Sequence, residues 1–157
     1  MEIKKILWPT DLSKNAAKAL PYVSSLSERY GAEVHLLYVV EDALQFDHIY
    51  GDANPVFLKE LQERISEEGN KYLEKVCQES LSHCPAYYKH IVVGDPANEI
   101  LKAVEDLQVN IIVMATHGHG NEVSSGIRHF PSGSVSEKVI KNSPVPVLTV
   151  NPVRAKA

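Results

Sequence analysis

The chain has 157 residues, of which 44% are hydrophobic and 23% charged, and it carries a formal net charge of -4. That length suits one domain spanning residues 1–157 that buries about two-thirds of its extended-chain surface, and the composition excludes a disordered chain. A net negative charge without a basic stripe argues against nucleic acid and anionic membrane as partners, and no apolar run approaches the roughly 20 residues of a membrane helix. With no signal-peptide pattern at MEIKKILWPT, the expected location is cytoplasmic. Cys77 and Cys84 form no CxxC, so two reduced, partly buried thiols are expected rather than a zinc site or redox pair.

Ile3 to Trp8 is an apolar run stopped by Pro9-Thr10-Asp11, which predicts a buried strand ending in a turn. Asp11 or Ser13 then caps a helix whose apolar positions are Ala16, Ala17, Leu20, Val23, Leu26 and Tyr30, bent by Pro21 and stopped by Gly31. Val34 to Val40 is β-rich and almost continuously apolar, as in a strand covered on both faces. Glu41 to Pro55 has turn residues and no sustained period, predicting a long loop in which Phe46, His48 and Tyr50 pack onto their own helix. That helix, about 20 residues long, buries Leu58, Leu61, Ile65, Tyr72, Leu73 and Val76.

The cycle repeats with a strand over Tyr87 to Val93, and Asp95 and Pro96 then supply the N-cap and first position of a helix carrying Ile100, Leu101, Val104 and Leu107. Ile111 to Met114 predicts a fourth strand, and Ser134 to Glu137 has capping-box spacing ahead of a short helix with an apolar face of Val135, Val139 and Ile140. Val145 to Val150 predicts a fifth strand, and because Pro146 lacks an amide donor that strand sits at a sheet edge or pairs through its other side. Strand and helix alternate throughout. The fold class is therefore α/β: a doubly wound, Rossmann-like, five-stranded and mostly parallel sheet with helices on both faces.

In such a sheet the ligand crevice lies beyond the carboxyl ends of the strands, where neighbouring connections leave on opposite faces. Its walls are predicted to be Pro9-Thr10-Asp11 after the first strand and Ala115-Thr116-His117-Gly118 after the fourth. Residues 115–134 hold four of the chain's eight glycines and three of its seven histidines. Bare backbone at Gly118, Gly120 and Gly133, with the amide and hydroxyl of Ser134 at a helix start, suits a phosphate; Ser132, Arg128 and His129 add donors. Asp11 is suited to accept from a purine amino group or ribose hydroxyls. Turn chemistry and capping explain the same glycines and serines without a ligand, and neither a Walker sequence nor an early GxGxxG occurs.

Other chemistry fits less well. His117, His119 and His129 satisfy a zinc ion's minimum ligand count but lack a well-spaced carboxylate apart from Glu122, so no metal site is assigned. No GxSxG elbow or nucleophile–base pattern supports a dedicated enzyme, and no catalytic residue is assigned.

At these residues the chain resembles the universal stress protein family: ILWPTDLS at residues 6–13 is similar to its opening strand and turn, VVGDPANEIL at 92–101 to its central turn and helix, and IIVMATHG with GSVSEKVIKNSPVPVLTV to its closing half. The nucleotide-binding branch carries G-x-x-G, nine residues, then G-[ST]. Here Ala115 replaces the first glycine and 14 residues, 119–132, separate Gly118 from Gly133-Ser134. The resemblance implies that Asp11, Val39 and Val40 hold adenine, that Gly118, Gly133, Ser134 and Val135 hold phosphates, and that Mg2+ or Mn2+ accompanies ATP or another adenine nucleotide. It also implies a stress-response regulator rather than a rapid enzyme, a homodimer through strand 145–150, and protein partners. The family includes members that retain no nucleotide, and the two departures are consistent with an alternative, a nucleotide-free interaction module whose 119–132 loop fills the crevice.

Overall fold

A computed structural model describes residues 1–42, 54–117 and 135–155. Five strands, β1 (Lys5–Thr10), β2 (Glu33–Val40), β3 (Tyr87–Val93), β4 (Ile111–Ala115) and β5 (Val147–Val150), alternate with helices α1 (Lys14–Ala17), α2 (Leu20–Tyr30), α3 (Pro55–Ser80), α4 (Pro96–Leu107) and α5 (Val135–Asn142). They form one sheet in the order β3-β2-β1-β4-β5 with every pairing parallel. The order reverses between β1 and β4. Helices after β1 and β2 cover one face, and those after β3 and β4 cover the other.

Two apolar clusters record this double winding. Ile6, Trp8, Val34, Leu36 and Val113 pack with Leu20, Val23, Leu73 and Cys77 under α2 and α3. Leu7, Leu37, Ile112 and Met114 pack with Ile100, Val104 and Val139 under α4 and α5. Successive residues of a strand point to opposite faces, so a strand covered on both sides must be apolar at every position, as β1 and β4 nearly are.

Local chemistry sets most helix boundaries. Ser13 caps α1 by accepting from Ala16 N at 3.0 Å, and Asp95 caps α4 by accepting from Asn98 N at 3.0 Å with Pro96 behind it. Gly31 ends α2 in the left-handed region at φ 63°, where a side chain would be strained.

The structure departs from the sequence-based expectation at several points. β1 does not stop at Trp8 but runs through Pro9 to Thr10. The bent helix is two helices, because Pro21 has no N–H for the Ala17 carbonyl and its ring crowds that group; α1 ends at Ala17 and Pro21 sits in the first turn of α2. Tyr30 and Leu61 are exposed, and α3 has 26 residues. On α5, Val135 and Ile140 are 37% and 50% exposed, leaving Val139 and Ser136 as its buried positions. β5 starts at Val147, after Pro146, and lies at a sheet edge as expected. Phe46, His48 and Tyr50 lie outside the described residues.

Candidate functional site

The hydrogen-bond register between β1 and β4 is short. Their register pairs are Ile6 with Ile111 and Leu7 with Ile112, although each strand continues three residues further. Pro9 explains where the register ends. The Lys4 carbonyl accepts from Glu33 on the β2 side, whereas the Lys5 carbonyl accepts from Asn110 on the β4 side, both at 2.9 Å. Backbone groups alternate along a strand, so residues 5, 7 and 9 face β4, and at Pro9 the donor that would extend the ladder is missing. On its other side β1 stays paired with β2 through Thr10 and Tyr38. A central strand thus carries a proline at the topological switch point, where the sheet order reverses.

The β1 wall is held by a relay of side-chain caps. Thr10 Oγ1 accepts from Leu12 N, Asp11 Oδ1 accepts from Ser13 N, and Ser13 Oγ accepts from Ala16 N, each at 3.0 Å. Leu12 takes φ 65°, a left-handed conformation that costs a side chain about 1 kcal/mol and that the relay sustains. Asp11 therefore has a fixed, half-buried carboxylate at the strand end. Two phenols feel it: burial and then the Asp11 charge raise the pKa of Tyr38 and of Tyr72.

Tyr38 owes its seat to Gly69. A Cβ at Gly69 would lie 2.6 Å from the Tyr38 ring carbons, so only glycine lets α3 lie against the ring. Gly69 is a lone glycine inside a helical pattern, a signal of close packing; its partner was not legible from the sequence.

On the β4 wall, Ala115, Thr116 and His117 are half-buried. Thr116 N donates to the Val150 carbonyl at 2.9 Å, and Thr116 Oγ1 and His117 Nδ1 are hydrogen bonded at 2.7 Å. The Thr116 amide is consumed by the sheet. Ser136 Oγ donates to the Thr116 carbonyl at 2.9 Å, tying the first turn of α5 to the end of β4. The first turn of α5, with the positive end of the helix dipole, thus stands beside the end of β4. Neither the Ser136 tie nor the phenols beside Asp11 figured among the sequence-predicted site residues.

Pro9, Thr10, Asp11, Ala115, Thr116, His117 and Val135 come together at this end of the sheet. Val39 and Val40 lie in register with Val92 and Val93 beyond Tyr38, Val40 buried and Val39 half-buried. Gly118, Gly120, Arg128, His129, Ser132, Gly133 and Ser134 lie outside the described residues, as do His119 and Glu122. Among the described residues no cluster of three or more His, Cys, Asp or Glu side chains is arranged to hold a metal, and no helix is long and apolar enough to cross a membrane.

The chain is similar to known proteins over nearly its whole length. The model of the Universal stress protein family matches residues 2–151. Universal stress protein MJ0577 of Methanocaldococcus jannaschii is 36% identical over 157 residues, covering 94% of each chain. The solved structure of MJ0577 matches with a TM-score of 0.79 at 34% identity over 100% of both chains. A universal stress protein from Archaeoglobus fulgidus, in complex with dAMP, shares the fold with a TM-score of 0.63 at 17% identity over 95% of this chain and 98% of that one. Family model, relative and fold agree, and the chain belongs to the universal stress protein family.

Proposed function

We propose that this chain is a cytoplasmic stress-response regulator that binds ATP or another adenine nucleotide and acts as a homodimer, without fast turnover. The observation that carries the reading is the switch point between β1 and β4, with the Asp11 carboxylate after one strand and the start of α5 tied to Thr116 after the other. An acceptor facing a cluster of amides matches a purine or ribose at one end and phosphate at the other. The dAMP complex of the Archaeoglobus fulgidus relative supports an adenylate as a ligand suited to this fold.

In this reading Asp11, with Pro9, Thr10, Val39 and Val40, receives the adenosine. Ala115 to Gly118, Gly120, Ser132, Gly133, Ser134 and Val135 receive the phosphates. The described residues offer no group of three or more metal-holding side chains, so Mg2+ or Mn2+ would be held chiefly by the phosphates, neutralising their charge beside Asp11.

The test is to denature the purified protein, chromatograph the supernatant for released nucleotide, and titrate the stripped protein with ATP and magnesium. Ligand at 100 times its Kd is expected to add about 2.7 kcal/mol of stability, a rise of a few degrees in Tm. Trp8, the sole tryptophan, lies two residues before Thr10 and supplies a fluorescence signal. Gly118→Val is expected to weaken binding at least tenfold with the unliganded Tm unchanged. Absence of both released nucleotide and a Tm shift would replace this reading with the nucleotide-free interaction module.

A further inference from the structure

Far from the crevice, near the amino ends of β2 and β3, two imidazoles meet. His35 on β2 is 6% exposed, and its Nδ1 lies 3.0 Å from Nε2 of half-buried His90 on β3. The His35 ring stacks between neighbours on the same strand: the His90 ring at 5.3 Å and 19°, and the Tyr88 ring at 5.1 Å and 21°. His35 Nε2 is buried and has no hydrogen-bond partner among the described residues.

These facts select a tautomer. If His35 carried its proton on Nε2, a buried N–H would be left without an acceptor, which folded proteins rarely tolerate; a proton on Nδ1 leaves only an unpaired lone pair. His35 therefore donates from Nδ1–H, and His90 accepts at Nε2 with its own proton on Nδ1. A neutral pair in this state makes one good bond, and every further proton damages it. Protonating His90 at Nε2 sets two donors face to face. Protonating His35 at Nε2 buries a charged N–H with nothing to receive it.

We propose that the His35–His90 pair is an acid-releasable fastening between β2 and the edge strand β3, closed by a single hydrogen bond and opened by protonation. The consequence is local because β3 is an edge strand whose sheet partner is β2. The groups bearing on His35 are His90 from β3, Glu33 from β2 and Lys5 from β1, with Tyr88 stacked above it. Lys5 and Glu33 lie 3.8 Å apart and act on His35 in opposite directions. Helix α4, packed over β2 through Ile100 and Val104, directs the Leu107 carbonyl to Lys5 Nζ at 3.1 Å rather than to the pair. On the opposite face of β3, the Lys89–Glu74 ion pair joins the strand to α3.

Burial holds both imidazoles below their ordinary pKa, and for His35 the facing His90 adds to the effect. The unfolded chain therefore binds these protons more readily than the folded one. The stabilisation is full above the ordinary imidazole value of about 6.5 and is lost as pH falls through the lowered folded-state values.

Two measurements on the full chain decide the matter. Imidazole 15N spectra at pH 7.5 are expected to show Nδ1–H on both rings, with both titrating below free histidine. Amide hydrogen exchange, corrected for its intrinsic pH dependence, is expected to show protection of residues 88–92 falling at least tenfold more than that of β1 and β4 between pH 7.5 and pH 5. His90→Gln, whose side-chain carbonyl accepts the same bond but does not titrate, is expected to abolish that selective loss. An Nε2–H signal on His35, ordinary titration of both rings, or equal loss of protection in all strands would overturn the proposal, and the wild-type protein suffices for all three.

Discussion

The central strands and the edge strands of this sheet are built to different standards. β1 and β4 are buried at nearly every position, whereas β3 and β5 have half-buried and exposed side chains over most of their length. The candidate crevice lies where the two best-buried strands end, and the acid-sensitive pair sits on an edge strand whose side chains are only partly covered. Strands buried on both faces give the site walls a packed base, and the weakly covered edge is where a small change in protonation shifts an equilibrium.

The largest expected effect tests the buried side of this contrast. Leu7→Ala empties a fully buried position on β1 and is expected to cost about 2–5 kcal/mol in urea denaturation, against less than about 0.5 kcal/mol for Leu148→Ala on β5, where the side chain is 37% exposed. Comparable losses at both positions would erase the distinction. Gly69→Ala is next. Its methyl group cannot occupy the space of the Tyr38 ring without shifting α3, so a loss of about 1–3 kcal/mol is expected, relieved in part by Tyr38→Leu; a cycle of the two substitutions with no coupling would refute the contact.

The smallest expected effect on stability sharpens the edge side. The Pro146 and Val150 carbonyls accept from Ile112 N at 3.0 Å and Thr116 N at 2.9 Å, so residues 146, 148 and 150 face β4 while Val147 and Thr149 face outward. Pro146 therefore does not blunt the outer edge. Thr149→Pro removes an outward donor and leaves the internal ladder intact. If β5 is the dimer interface, this variant is expected to run as a monomer in light scattering with a small change in folding stability; an unchanged mass would locate the interface elsewhere.

Much of this architecture was legible as pattern. A continuously apolar strand must be covered on both sides, which is why Val34 to Val40 announced a parallel sheet, and Asp95-Pro96 announced a helix start because the cap and the proline satisfy the same orphan amides. Prolines were harder. Pro9 looked like a strand terminator, yet it lies inside β1 because its missing donor faces β4, where the register has ended, and not the ladder with β2. Helical periodicity also overstated burial at Val135 and Ile140, since the pattern marks a face without saying whether another element covers it. Within the site, Asp11 and the Ala115–His117 wall could be anticipated from strand order, whereas the phenols of Tyr38 and Tyr72 beside Asp11 could not, because helix and strand meet there through a contact distant in sequence.

By itself the sequence determined the alternation of strand and helix and the parallel, doubly wound sheet, since these follow from local apolar period, capping residues and chain order, while its motif blocks carried the family resemblance. Only the tertiary structure decided which side of β1 lacks its donor at Pro9, what Gly69 makes room for, and that His35 and His90 share a hydrogen bond. The physical reason is register. A shift of one residue between paired strands moves every side chain to the other face, and the sequence of either strand alone contains no record of its partner's alignment.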